Sequence, residues 1–308
     1  MSTQITTAFV DQFKANILML SQQKQAKLRM CCRPEPVTGD TMYVERIGPK
    51  DPQKITTRHG DTPVSDADHS RRKLTMVDWE VPADLIDQED KLKMLIDPQS
   101  SYAQNQAFGL TRAIDDAIIE ALGASAYGGH EGGTEVANYA SGECRLVAGD
   151  GTIVTAGSNF SDTTATALTI AKLLTCKKLL DDAEIDESRQ RYFVTNPYNI
   201  GQLLNTTEVK SMDYNTIKAL AQGQIDTFMG FKFIMTTRLA TDGTETDCQN
   251  CYAFAQDAMV LAVAEEPMVD ISRRNDKRNA IQVYSKMSIG CTRVEGPAVV
   301  EINLKASA

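Results

Sequence analysis

The stretch RHGDTPVSDADHSRR, Arg58 to Arg72, gathers the side chains best suited to metal or acid–base chemistry. It holds His59 and His69, Asp61, Asp66 and Asp68, and Arg58, Arg71 and Arg72, in a chain with three histidines in all. Asp66, Asp68 and Ser70 resemble the start of a calcium-binding loop. That loop needs Gly in its sixth place, where Arg71 stands, and a bidentate Glu in its twelfth, where Val77 stands. Zinc needs a compact ligand set, whereas His59 and His69 are separated by flexible polar residues with no cysteine near them. A metal-dependent hydrolase using His59, Asp61 and His69 stays open as a minor alternative. The favoured reading is a solvated or interface-facing loop, with no catalytic, cofactor or metal residue assigned.

Other motifs offer less. Cys248 and Cys251 have CxxC spacing but precede a strand, whereas a redox pair sits at a helix N-terminus. The run GGHEGG at 128–133 follows a helix instead of opening one, so its amides gain no helix field for phosphate. No GxxxxGK[ST], HExxH or GxSxG occurs in the chain. Asp115-Asp116 and Asp181-Asp182 lie on helices, where adjacent side chains diverge, and read as solvated faces. Arg273, Arg274, Lys277 and Arg278 surround an Asn275-Asp276 turn; a hairpin tip is the default reading, a salt-sensitive contact with another subunit the functional one.

The elements that must position these residues are mixed. Phe9, Phe13, Ile17 and Leu20 recur at helical spacing in an amphipathic segment over residues 5–30, which Pro34 and Pro36 bring to an end. A lone helix cannot bury such a stripe, so this arm must dock on its own chain or a neighbour. TMYVERIG and KLTMVDWEV read as two strands flanking about twenty polar residues, an extended hairpin with the Arg58–Arg72 stretch at its tip. Asp97 caps and Pro98 opens a long helix whose buried stripe is Ala107, Leu110, Ile114, Ile118 and Ala121, with Gly123 at its end. A second helix follows in ATALTIAKLLTCKKLLDDAEID. RYFVTNPYNIGQLLN is a strand running through Asn196-Pro197 into a helix, and GQIDTFMGFKFIMTTRL turns at Gly230. The last third reads as strands: CYAFAQ, AMVLAVA, MVDISRR, AIQVYSKMSIGCTRV and AVVEINL. Helices and strands without regular βαβ alternation indicate an α+β fold.

The totals agree with a binding or structural role. A hydrophobic fraction of 42% supports a substantial core in 308 residues, and a net charge of -9 disfavours a protein that grips phosphate along its surface. Asp11 and Lys14 interrupt the apolar N-terminal residues, which fits neither a secretory signal nor a membrane span. Seven cysteines read as reduced, mostly buried thiols of a cytoplasmically made protein.

Taken in order, these segments resemble the major capsid proteins of tailed bacteriophages with the fold named after phage HK97, which encapsulins share. FVDQFKANILMLSQQKQAKLR is similar to an N-terminal arm, and RHGDTP followed by DHSRR, a strand and DLIDQEDKLKMLIDPQSSYA to an extended loop entering a spine helix. VTNPYNIGQLL resembles the strand and helix of an axial domain, and the terminal strands follow that fold's closing order. The resemblance implies an arm over 1–40, an extended loop over 41–82 and a peripheral domain over 83–160 with its spine helix near 98–123. It further implies an axial domain over 161–247 and closing strands over 248–308. It implies a non-enzymatic, cofactor-free subunit of an icosahedral virion shell of pentamers and hexamers, assembled in a bacterial host's cytoplasm. The shell would enclose dsDNA without reading its sequence and would have no membrane partner. Scaffolding, portal and decoration proteins would be further partners, and an encapsulin-like compartment is the alternative on the same fold. Arg58, His59, Asp61, Asp66, His69, Arg71 and Arg72 of the loop, and Phe9, Phe13, Ile17 and Leu20 of the arm, are the expected inter-subunit contacts. Lys50, Lys54 and Lys73 are available for the loop–asparagine cross-link that some relatives make.

Overall fold

β-Branched and aromatic runs bounded by Gly, Pro and Asn dominate the chain, and in the computed structural model they form fifteen strands beside three α-helices among the described residues. The described residues are 22–56, 58, 60–62, 64–86, 99–136, 145–148, 150–154, 166–205, 227–241 and 248–306. The arm positions Phe9, Phe13, Ile17 and Leu20, the expected cap at Asp97-Pro98, and His59 lie outside them. The chain divides into two compact units. The smaller takes residues Met1–Ala26, Asp78–Ala113 and Glu265–Ser288, and the larger the remainder.

In the larger unit, β9 (Arg191–Thr195), β12 (Cys248–Ala255) and β15 (Val299–Lys305) are the centre of a seven-stranded mixed sheet. They are flanked by β10 (Thr227–Phe228) and β11 (Phe231–Met235) on one side, β7 (Arg145–Val147) and β8 (Ile153–Val154) on the other. β9 and β15 are buried along almost their whole length, with Arg191, Glu301 and Asn303 buried among their apolar residues. Phe193 meets the rings of Phe231 and Phe233 at 6.0 and 5.3 Å. The β10–β11 turn places Met229 and Gly230 at φ 54° and 85°, the two left-handed residues that a tight hairpin needs. α2 (Ile170–Asp182) buries Leu173, Cys176, Leu179 and Leu180, and packs on β15 and β7. Asn196 caps α3 (Pro197–Asn205): its Oδ1 accepts from the Asn199 amide at 2.8 Å, and Pro197 opens the helix as the sequence indicates.

Beside this sheet the unit holds a hairpin of β2 (Thr41–Ile47) and β3 (His69–Thr75). It is extended by β5 (Ala126–Gly128) and β6 (Thr134–Val136) into a four-stranded antiparallel sheet. Leu74 and Met76 are buried against Val260 and Ala262, with Met42 and Val44 packed alongside. A third sheet runs in the order β1 (Arg33–Pro36), β13 (Met259–Arg274), β14 (Ala280–Arg293) and β4 (Val77–Ile86). Pro34 and Pro36 therefore lie in an edge strand, where a missing N–H is tolerated.

α1 (Gln99–Gly123) is the long helix, and Leu110, Ile114, Ile118 and Leu122 form its buried stripe. Arg293, 1% exposed, donates to the carbonyls of Leu122 and Ala124, so a cation closes the helix's negative end. In the smaller unit Ile86, Ile281 and Val283 form the core with Ala103 and Val269. Gln106 donates to the Asp84 carboxylate at 2.9 Å and to the Val283 carbonyl at 3.1 Å. The β13–β14 turn covers 275–279, and Arg274 there grips Asp276 at 2.7 Å.

Four expectations are corrected. KLTMVDWEV is two strands in different sheets, because the Met76 amide leaves the ladder to donate to the Asp40 carbonyl at 2.9 Å. AMVLAVA and MVDISRR are one strand, with Pro267 inside it. Residues 22–28 are not helical; a 3-10 turn occupies Arg29–Cys31 instead. Asp115 is not solvated but fully buried.

Candidate inter-subunit surface

The β2–β3 ladder sets the geometry of the Arg58–Arg72 stretch. Ile47 pairs with His69, Glu45 with Arg71, and Tyr43 with Lys73. With a side-chain period of two, Met42, Val44, Arg72 and Leu74 share the core face, and Tyr43, Glu45, His69, Arg71 and Lys73 the outer one. Between the strands, the described residues of 48–68 are almost all exposed. Their base is closed by the Gly48 amide donating to the Asp68 carbonyl at 2.8 Å and by the Lys50 ammonium donating to the Ser65 carbonyl.

Arg58, Asp61 and Asp66 are exposed in this segment, and His69 is exposed at the first position of β3. Ile55 and Val64 are each 91% exposed, apolar side chains open to solvent. Arg71 is already engaged within the chain. Its guanidinium lies 5.6 Å from the Tyr43 ring centroid, pairs with Glu45 at 3.2 Å and donates to the His130 carbonyl at 3.3 Å. Arg72 is 3% exposed on the core face, which leaves it no surface to offer a second copy.

The fold also assembles residues that sequence reasoning did not connect. Glu45, His69, Ser70, Arg71, Gly129 and His130 line an open depression of about 420 Å³. The Tyr43 hydroxyl donates to the Glu131 carbonyl at 3.2 Å, so the GGHEGG run is the turn that flanks the hairpin. Alternation along TMYVERI carried the signal for Tyr43 and Glu45; nothing local tied them to His130, 87 and 85 positions away.

Among the described residues no three His, Cys, Asp or Glu side chains are arranged to hold a metal ion. Cys248 and Cys251 are both buried in β12, and burial pushes the Cys251 thiol up to about 12, far from a nucleophile's range. No helix among the described residues is long and apolar enough to cross a membrane.

Solved structures share this architecture. The capsid structure of the cyanophage P-SCSP1u superposes with a TM-score of 0.72 at 13% identity, covering 100% of this chain and 96% of that one. The cyanophage Pam1 capsid gives 0.68 at 17% identity, covering 98% of each chain. The capsid of a native GTA particle gives 0.66 at 14% identity, covering 98% and 96%. At these identities the likeness establishes the fold, an α+β fold of phage capsid subunits. Comparison with curated proteins found no match. The model of the phage capsid protein family matches residues 5–306, so the chain belongs to that family: it is a structural major capsid protein that forms a shell.

Proposed function

We propose that this subunit builds an icosahedral shell of pentamers and hexamers by inserting the 48–68 loop and the N-terminal arm into neighbouring subunits. The observation that carries this reading is the bare pair Ile55 and Val64, each 91% exposed on a loop whose base is fixed by its own hydrogen bonds. A monomer gains nothing by exposing them; covered by a second copy, each contributes about 1.5–3 kcal/mol of apolar burial. Arg58, Asp61, Asp66, His69 and Arg71 surround them as polar rim contacts, and His59 joins that group by sequence. Phe9, Phe13, Ile17 and Leu20 are the arm's apolar anchors. Many such contacts of modest strength add up around a closed shell.

The segment roles follow: arm over 1–40, extended loop over 41–82, peripheral domain over 83–160, axial domain over 161–247 and closing strands over 248–308. The acidic balance suits a container for dsDNA that must not trap the genome on its wall. Assembly in the host cytoplasm, with scaffolding, portal and decoration proteins as further partners, belongs to the same reading, as does the absence of catalysis.

The test is the double variant Ile55→Asp/Val64→Asp. The subunit should melt as wild type does, because neither side chain touches its own core, yet closed particles should be absent by electron microscopy. Wild-type particle yield from this variant would sink the proposal.

A further inference from the structure

We infer that Asp115 is the positioning residue of the arm, pinning it within its length at Lys27 and Leu28; this rests on the arm's proposed grip on neighbours. Asp115 is 0% exposed on the apolar stripe of α1, beside Ile114, Ile118 and Ile119. Its Oδ2 accepts from the Lys27 amide and its Oδ1 from the Leu28 amide, both at 3.0 Å. Leu28 precedes the 3-10 turn and supplies no side-chain cap of its own. A carboxylate from a distant helix therefore serves two amides that lie ahead of the turn and outside its own Cys31-to-Leu28 bond.

Three further bonds hold the same place in the larger unit. The Lys27 ammonium donates to the Met235 carbonyl at 2.8 Å. The Arg238 guanidinium, three residues on, grips Asp116 through both carboxylate oxygens, with Nε at 2.5 Å. In the smaller unit, Arg112 donates to the Gln22 side chain at 2.7 Å and Gln22 to Asn105 at 3.0 Å. Gln22, Lys27 and Leu28 of the arm are thus each fastened to α1, and Asp115 supplies the buried bond.

A charge in this stripe is costly to desolvate unless it is fully hydrogen-bonded, and an apolar side chain would pack there at no such cost. What the carboxylate adds is a fixed seat for two particular backbone amides. A seat held in one place presents every arm to its neighbour from the same point, and a loose seat spreads the arms over many approaches.

The experiment compares Asp115→Asn, Lys27→Pro, Asp116→Asn and a chain lacking residues 1–26 with wild type, all as full-length subunits otherwise. Hydrogen exchange reads the amides of residues 27–30, circular dichroism reads subunit melting, and sedimentation reads shell yield. Asp115→Asn cannot accept from both amides without opposing donors, and should speed exchange at Lys27 and Leu28 at least 10-fold and cut shell yield at least 10-fold. Lys27→Pro removes both the amide and the ammonium donor of that residue while leaving Asp115 and the core in place, and should lower shell yield with melting unchanged. Asp116→Asn should assemble within about 2-fold of wild type. Wild-type shell yield from Lys27→Pro or from a folded Asp115→Asn, where the 1–26 deletion makes no shells, overturns this inference alone. Normal shells from the 1–26 deletion overturn the arm reading beneath it.

Discussion

Truncating Arg71 separates a residue that holds its own sheet from one that holds a neighbour. Within the chain Arg71 has an ion pair to Glu45, whose two side chains are 34% and 71% exposed, a cation–π contact to Tyr43 and a long bond to the His130 carbonyl. An exposed pair contributes about 0–1 kcal/mol, because water screens it and ordering two long side chains opposes it. An exposed cation–π contact contributes about 0.5–1 kcal/mol, and the two overlap since they share one guanidinium. Arg71→Ala should therefore cost the isolated subunit about 1 kcal/mol, a fall in Tm of at most about 2–4 °C by differential scanning calorimetry. Shell yield should fall at least 10-fold, because the loss repeats at every subunit of the particle. Glu45→Gln, which removes the internal pair and leaves the Tyr43 and His130 contacts in place, should cost less than Arg71→Ala and leave assembly near normal. Wild-type shells from Arg71→Ala refute the contact. A stability loss above about 3 kcal/mol instead makes Arg71 a structural strut.

Three other outcomes follow from the packing and the charges. A Cβ on Gly290 would stand 2.5 Å from the Thr75 carbonyl and 2.6 Å from a Leu74 methyl, so Gly290→Ala should destabilise by about 1–3 kcal/mol in urea unfolding. Burial raises the Cys31, Cys176 and Cys251 thiols to about 12, so at pH 8 they stay protonated. Iodoacetamide followed by mass spectrometry should label half-buried Cys291 first among the six described cysteines, and the other five only after denaturation. The Arg274 hydrogen bond lowers Asp276 from 3.8 to about 2, so its contribution is complete above the unfolded value and is lost as pH falls through about 2. An NMR titration of the Asp276 carboxyl with a midpoint near 4 would contradict the pair.

Much of the architecture was legible because strong local signals coincide. The stripe of α1, the Asn196-Pro197 cap, the Gly230 turn and the apolar runs of β9, β12 and β15 each satisfy one short-range rule. The failures come where a long-range partner overrides such a rule. Met76 looks like the middle of a strand until Asp40 claims its amide. Asp115-Asp116 reads as a pair of surface acids, since adjacency shows that the two diverge but not which one meets an arm 87 residues away. Arg72 was recoverable: it shares the parity of Leu74, so alternation alone places it on the core face, and charge misled the reading. The loop's apolar members Ile55 and Val64 carry no periodic signal, and only their exposure in the fold marks them as contacts.

The most direct test of the shell reading is negative-stain electron microscopy of the purified chain after size-exclusion chromatography. Closed particles roughly tens of nanometres across, eluting at the void volume, are expected from repeated quasi-equivalent contacts among copies of one chain. A discrete dimer that stays a dimer under every assembly condition, with no particles on the grid, would contradict it.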